Sequence, residues 1–527
     1  MTRITAVQMC RQVLDPGSFR SWDSPPVNVR PGPRYADDLA RAAERSGADE
    51  SVLTGEGLVR GRRVAVIACE FGFLGGSVGV AAAERIVAAI ERATAERLPL
   101  LASPTSGGTR MQEGTVAFLQ MVKIAAAVEI HKASHLPYLV YLRNPTTGGV
   151  FASWGSLGHV TVAEPGALVG FLGPRVYQAL YDEPFPDGVQ TAENLYHNGV
   201  IDGVVKLQHL RALAIRALRV LAPEPVAQRG FEPAPVQVPD LPAWESVRRS
   251  RRPQRPGIRQ LLRHSATDLV PLSGTGQGEA DRSLVLALAR FSGHAAVVLG
   301  QDRAGQTRTS PLGPGALREA RRGMKLAEQL RIPLVLVIDT LGAALSKEAE
   351  EGGLAHEIAR CLAELVTLRT PTVSVLLGQG TGGGALALMP ADRVLAAEHG
   401  WLAPLPPEGA SAIVYRDTDH AAQLAEEQGI RSADLLRAGI VDAIVPELPD
   451  ASDEPVAFAT RAGRAIAREL QHLSLVPEPT RLAARMSRYR NLGLPRPDPV
   501  GFRPVSGRNR TISPAGNRPV PRASNPA

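Results

Sequence analysis

Cysteine is almost missing from this chain. Cys10, Cys69 and Cys361 are its only three thiols in 527 residues, and they lie far apart with no CxxC pair. Neither a disulfide framework nor a cysteine-rich zinc site is supported by that spacing. Aromatics are scarce at 4%, so cores must be filled by Ala, Val, Leu and Ile, as in layered α/β proteins. Unbroken apolar runs are lacking too. No run of 18 apolar residues occurs, and the opening MTRITAVQMCRQ has no apolar block of the signal-peptide kind. The expectation is a cytoplasmic protein that does not cross a membrane. Neither charge sign dominates: 59 Lys and Arg stand against 52 Asp and Glu, a net of +7. Much of that excess falls in a linker and a tail. A polyphosphorylated small molecule accounts for the remainder as well as nucleic acid does, and no nucleic-acid partner is expected.

What the sequence does hold is length, glycine and proline. A chain of 527 residues exceeds one ordinary core. Pro-rich and basic stretches divide it: a first body over 1–221 whose first fifty residues read as an extended lead-in, a Pro/Arg-rich linker over 222–256, a second body over 257–490, and a disordered tail over 491–527 rich in Pro, Arg, Asn and Gly. The 51 glycines and 43 prolines imply many tight turns and places where backbone approaches something closely.

The two bodies repeat each other. Pro99 opens LPLLASPTSGG and Pro333 opens IPLVLVIDTLGA; Pro137 opens LPYLVYLRNPTTGGV and Pro371 opens TPTVSVLLGQGTGGG. Both pairs are separated by 234 positions, as are Val160 and Val394, and Glu164 and Glu398. Each copy reads as helix, proline, short apolar strand, Gly-rich turn and helix, then the same again. Helices are predicted over 78–97 and 315–331, and the apolar runs are predicted to be buried parallel strands.

In each copy the second strand runs into glycines: Thr147-Gly148-Gly149-Val150, and Thr381-Gly382-Gly383-Gly384-Ala385. Such a turn is either a plain strand-to-helix connection or a place where unpaired N–H groups converge on a ligand oxygen. Recurrence in register favours the second. Three other patterns carry less. Gly378-Gln379-Gly380-Thr381-Gly382-Gly383 fits a dinucleotide fingerprint with Glu398 downstream, but it follows the second strand of its body rather than the first. Gly75-Gly76-Ser77-Val78-Gly79 fits a nucleophile elbow with no assignable Asp and His. His131 and His135 are four apart, but Lys132 stands where a zinc protease has glutamate, so a solvated helix face is expected.

Several longer stretches carry a resemblance. EFGFLGGSVG (Glu70–Gly79), SGGTRMQEG (Ser106–Gly114), NPTTGGVFAS (Asn144–Ser153), AEPGALVGFLGPRV (Ala163–Val176) and NGVIDGVV (Asn198–Val205) resemble the β subunit of the acetyl-CoA carboxylase carboxyltransferase. WESVRRSRRPQRP, IDTLGA, GQGTGGGALAL and PPEGASAI resemble its α subunit, so the two are in effect fused. The resemblance implies two homologous ClpP/crotonase-like ββα spiral domains. It also implies transfer of a carboxyl group from carboxybiotin, presented by a separate carrier protein, to the α-carbon of acetyl-CoA or another short acyl-CoA. Negative charge would develop on two carbonyl oxygens, so two oxyanion holes would carry the rate and no side-chain base is obligatory.

By the family's pattern Gly148 and Gly149 would hold the thioester oxygen, and Gly383, Gly384 and Ala385 the ureido oxygen of biotin. Ser106, Gly107, Gly108 and Arg110 would border the CoA site, with Arg175 a further candidate. The implied partners are an acyl-CoA, a biotin carboxyl carrier protein, a biotin carboxylase and a second copy of the chain, in a homodimer or a larger assembly. A different crotonase-type acyl-CoA enzyme and a paralogue that assembles without catalysing are the alternatives. The sequence departs from the family twice. The four-cysteine zinc ribbon of many β subunits is absent, so no zinc is expected. Leu341 also replaces the proline of the α-type DTPGA motif, so that loop is expected to differ in shape. Lys325, in a faint echo of a biotinylation motif, falls mid-helix and is not expected to carry biotin.

Overall fold

Each apolar run behind a proline forms a strand, and together they build two sheets of one design. The computed structural model describes residues 3–172, 174–224, 226, 240–307 and 310–494. Most of the expected tail and the middle of the expected linker lie outside these residues. The first sheet has seven strands in the order Arg20–Ser21, Val52–Val59, Arg62–Cys69, Leu100–Ser103, Tyr138–Leu142, Val160–Ala163 and Gly203–Val204. The second runs Ala266–Leu272, Leu284–Phe291, His294–Gln301, Leu334–Thr340, Thr372–Thr381, Arg393–Ala397 and Ala443–Val445, with Trp401–Ala403 paired to Thr372–Thr381 off the main path. In both, the first three strands are antiparallel and the rest parallel. Register repeats as well: Leu100 pairs with Tyr138, and 234 positions on Leu334 pairs with Thr372. The protein is therefore α/β with two homologous domains.

The helices before each proline are Val80–Ala95 and Pro314–Leu330. Ala82, Ile86, Ala89 and Ile90 of the first, and Leu317, Ala320, Met324 and Ala327 of the second, lie in the core as helical spacing requires.

Two segments differ from the sequence reading. The lead-in is not simply extended. It holds helices Ala6–Val13 and Pro33–Ser46, the first closed by a capping box between Thr5 and Gln8. The linker ends earlier than its composition implies. Helix Ala243–Ser250 buries Ala243 and Val247 against Trp401, Ala403 and Ile430, so it belongs to the second domain. Its arginines face polar partners while its small residues face the core, and composition alone does not reveal that division.

The halves share a core. Helix Leu207–Leu221 places Leu210 and Ala214 in one cluster with Val270, Leu272 and Leu284 of the second sheet. Asp202, buried at the seam, accepts from Thr161 N–H at 2.8 Å within its own half, and from Ser273 N–H at 3.2 Å and Arg322 at 2.8 Å across it. One further helix is unusual. The segment Met111–Ala133 is long and apolar enough, by length and composition, to cross a membrane, and only 33% of its apolar window is buried. Met121, Ile124 and Val128 enter the core, while Val116, Phe118, Leu119 and Val122 stay exposed.

Candidate active site: two glycine turns in register

The first turn is assembled from two loops at the ends of parallel strands. After Leu100–Ser103 the chain reaches Ser106, whose hydroxyl accepts from Gly108 N–H at 3.0 Å and donates to Gly108 O at 3.1 Å. Gly108 takes φ +117° and Gly148 φ +61°, values that side-chain-bearing residues rarely adopt. A Cβ built on Gly148 would lie 3.5 Å from Gly108 Cα, so the two loops pack backbone to backbone. Gly148 O accepts from Ala152 N–H at 3.0 Å, the first turn of an incipient helix.

The second turn repeats this geometry residue by residue at the 234-residue shift. Thr340 stands for Ser106, accepting from Gly342 N–H at 3.1 Å and donating to Gly342 O at 3.2 Å. Gly342 has φ +126° and Gly382 φ +63°. The bridge between Val78 and Thr109 recurs between Leu312 and Ala343. Ser106 bridges Thr146 as Thr340 pairs with Gly380. The loop carrying Leu341 makes the same turn as its glycine-bearing counterpart in the first half, with Thr340 and Gly342 hydrogen-bonded across it.

The two turns also match in exposure at their glycines. Gly148 and Gly149 are partly exposed and Val150 is buried; Gly382 and Gly383 are partly exposed while Gly384 and Ala385 are buried. Of the expected Gly383, Gly384 and Ala385, Gly383 is therefore partly accessible together with its neighbour Gly382. A Cβ on Gly384 would meet Leu312 Cδ2 at 2.8 Å. Ala385 is the fourth residue of helix Gly382–Leu386 and is buried. No side chain caps that helix, so the Gly383 N–H is open. In the first half Gly148 N–H is taken by Gly170 O at 3.1 Å, and no acceptor among the described residues takes Gly149 N–H. Met121 and Thr109 flank Gly149, and Ile358 flanks Gly383. No sequence pattern pointed to these three neighbours.

The supports of the turns differ. Arg110, expected at the rim of the CoA site, is 1% exposed. Its guanidinium is paired with Glu50 (3.0 Å to Oε2) and donates to Ser77 O (2.8 Å) and the Tyr35 hydroxyl (3.3 Å). The partner is 60 residues away in sequence, so a local motif does not reveal it. Arg143 is also buried and donates to Ser103 Oγ at 2.9 Å and to the Cys69 and Ser103 carbonyls; burial pulls its guanidinium below the ordinary arginine value. Arg175 belongs to helix Pro174–Tyr181, and its side chain lies outside the described residues. Under the second turn Gln301 donates to Gly384 O at 2.6 Å and accepts from Asp339 N–H at 3.2 Å, tying the two loops together. Burial pushes the Asp339 carboxyl up against the opposing pull of Arg303 and Arg255.

The weaker patterns resolve on the same grounds. Glu398 is buried and accepts from Glu447 N–H at 2.8 Å, so it is not free to bind a ribose. His131 is not on a solvated face. It is fully buried between Thr94 Oγ1 (2.9 Å) and Pro137 O (3.3 Å), with burial lowering its pKa to about 4. His135 lies past the helix end, and its Nδ1 contacts Gln329 O at 2.7 Å. Lys325 falls mid-helix, as expected. All three cysteines are buried thiols, and among the described residues no group of three or more His, Cys, Asp or Glu is placed to hold a metal ion.

Two matched turns on a duplicated α/β frame narrow the kinship, and comparison with known proteins decides it: residues 2–482 match the carboxyl transferase domain family. The chain belongs to that family. Among members similar to it, a probable biotin-dependent acyl-coenzyme A carboxylase beta3 subunit of Mycobacterium tuberculosis is 70% identical over 498 residues, covering 94% of this chain and 100% of that protein. The acetyl-coenzyme A carboxylase carboxyl transferase subunits beta/alpha of Saccharopolyspora erythraea is 37% identical over 502 residues, or 92% of this chain and 88% of that one. In fold, this carboxyl transferase resembles transcarboxylase 12S, a hexamer crystallised with methylmalonyl-coenzyme A, at TM-score 0.72 and 22% identity over 90% of each chain.

Proposed function

We propose that this chain is the carboxyltransferase component of a biotin-dependent acyl-CoA carboxylase. It moves a carboxyl group from carboxybiotin on a separate carrier to the α-carbon of acetyl-CoA or another short acyl-CoA, giving malonyl-CoA from acetyl-CoA. The observation that carries this reading is the pair of equivalent turns, each with an open amide at an exposed glycine. A reaction that develops negative charge on two carbonyl oxygens needs two sets of preorganised donors, and each donor contributes roughly 2.7–4 kcal/mol at the transition state. Gly149 N–H serves the thioester oxygen and Gly383 N–H the ureido oxygen.

The partners are the acyl-CoA, a biotin carboxyl carrier protein, a biotin carboxylase and a second copy of this chain, in the cytoplasm. Two apolar rims support the second copy. Val116, Phe118, Leu119 and Val122 lie exposed on the helix beside the first turn, and Leu345, Ile413 and Val414 are exposed on the second domain. Apolar surface of this extent marks an interaction site, and a two-fold dimer could set one against the other.

The test is malonyl-CoA decarboxylation with free biotin or carrier, comparing the wild type with Gly149→Val. The valine side chain would crowd Met121 Cγ and Thr109 Cγ2, 3.1 and 3.2 Å from the built Cβ, and displace the amide. Activity should fall by about 10²–10³-fold with folding retained. Wild-type turnover by this variant would sink the assignment.

A further inference from the structure

The two turns match in backbone and differ in what stands beside them. Where the first half has Gly107 and Ala152, the second has Leu341 and Leu386, each 234 positions on. Internal packing does not account for either leucine. Leu341 is 53% exposed and Leu386 48%, while Thr340, Gly384 and Ala385 next to them are buried. Nor is glycine forced in the first half. A Cβ built on Gly107 would meet only Gly75 O, at 3.8 Å, and its φ lies outside the left-handed region. The first turn could carry a side chain there and is bare; the second carries two apolar ones flanking its open amide.

Resting on the function proposed above, we infer that Leu341 and Leu386 are specificity-determining residues that make two equivalent oxyanion holes select different ligands. They form an apolar collar around Gly382-Gly383. The occupant that fits is the bicyclic ring of biotin. It is a cyclic urea whose carbonyl stands between two ring N–H groups, while its ring faces, fused thioether ring and aliphatic chain are apolar, so an apolar collar can receive the body of the ring as the carbonyl oxygen enters. An acyl-CoA thioester approaches as a thin linear group continuing into the polar amides of pantetheine. Gly107 and Ala152 leave room for that approach and place no leucine on either side of the first turn, whose apolar neighbour is Met121 instead.

The test is steady-state malonyl-CoA decarboxylation by the full chain with free biotin as the varied substrate, for wild type, Leu341→Gly, Leu386→Ala, the double variant and the reciprocal Gly107→Leu. Leu341→Gly should raise KM for biotin about tenfold, the scale of losing apolar contact in a pocket, while KM for malonyl-CoA stays within about twofold. Leu386→Ala should act in the same direction, and Gly107→Leu should raise KM for malonyl-CoA alone. A double variant with the wild-type KM for biotin would overturn the collar. So would a change of molar mass by light scattering in the leucine variants, since the leucines would then belong to the contact between copies. Saturation-transfer NMR with free biotin separates this inference from the function. A wild type that binds biotin but never turns over malonyl-CoA refutes the function and spares the collar, provided the double variant loses the binding.

Discussion

Set side by side, the segment from Ser106 to Val150 and the segment from Thr340 to Gly384 keep the same backbone and almost none of the same supports. The hydroxyl clamp of Ser106 on Gly108 is kept by Thr340 on Gly342, and the left-handed glycines fall at the same places. Around the first turn lie Arg110, Glu50, Tyr35 and Arg143; around the second lie Gln301, Asp339 and the Arg255–Glu447 pair. Duplication therefore preserved the positions of the N–H groups while the side chains that hold them changed. On the function proposed above, the chemistry is carried by backbone amides, and different side chains can hold those amides in place. The largest effect that would break this equivalence is at Gly383. A valine there would press on Ile358 Cδ1, 2.8 Å from the built Cβ, and move the amide. We expect a loss of about 10²–10³-fold in kcat, matching Gly149→Val, with KM for the acyl-CoA unchanged in the Gly383 variant. Retained activity would show that the two turns are equivalent only in shape.

The supports can be compared next. Arg255 and Glu447 are both fully buried and joined by two hydrogen bonds of 2.7 and 2.6 Å. Removing one charge of such a pair strands the other in a low-dielectric interior, at a cost of about 3–5 kcal/mol. Glu447→Gln should therefore lower the urea midpoint of the protein strongly. Glu50→Gln, its first-half counterpart in role, should cost less. Arg110 keeps Glu113 at 3.6 Å and the Tyr35 hydroxyl at 3.3 Å as further partners. Equal losses would mean that the first network is no more redundant than the second.

The comparison was partly legible before any coordinates. The shift of 234, the strands behind Pro99, Pro137, Pro333 and Pro371, and helices close to Val80–Ala95 and Pro314–Leu330 all follow from local periodicity. What stayed hidden depends on partners distant in sequence. Arg110 reads as a ligand-binding cation until Glu50 is folded onto it. His131 reads as solvated until Thr94 and Pro137 close around it. Helix Ala243–Ser250 hides in a stretch whose composition is that of a linker, because only the burial of Ala243 and Val247 against Trp401 distinguishes it. The glycine run Gly382-Gly383-Gly384 has no internal marker of register. The left-handed φ of Gly382, matched to Gly148, supplies one.

A smaller contrast lies in acid sensitivity. In the first half His131 and His159 are both buried neutral, with burial lowering their pKa values to about 4 and about 3, and His159 Nε2 has no hydrogen-bond partner. Their folded values lie below the unfolded value of about 6.5, so the unfolded chain binds more protons between those limits. Stability is then lost as pH falls below about 6.5, by about 2 kcal/mol for each histidine at pH 5. In the second half His399 is also lowered by burial, but Glu447 opposes the shift. Hydrogen exchange at pH 5 should therefore show the first sheet opening before the second, and His159→Gln should reduce that difference. Simultaneous opening would break the contrast.

The seam between the halves responds to pH with the opposite sign. Glu319, on helix Pro314–Leu330, is 3% exposed beside a cavity of about 630 Å³ that Tyr196 and His197 of the first half and Asp281 and Ser310 of the second also line. One of its carboxylate oxygens, Oε2, has no hydrogen-bond partner. Burial raises its pKa to about 7 against hydrogen bonds from the Asp281 and Gly274 backbone and the charge of Arg322, with the Asp281 charge adding last to the rise. A carboxyl whose folded value exceeds its unfolded value of about 4.3 favours the folded state below that lower limit. The advantage disappears as pH climbs through about 7. Glu319→Gln keeps the shape and removes the charge, so at pH 8 it should stabilise the protein by about 1–3 kcal/mol and at pH 4.5 by close to nothing. Thermal unfolding of wild type and variant across that range measures the difference directly. Curves that stay parallel would show that the carboxyl is already satisfied at the seam, and that the junction responds to pH no more than the two sheets it joins.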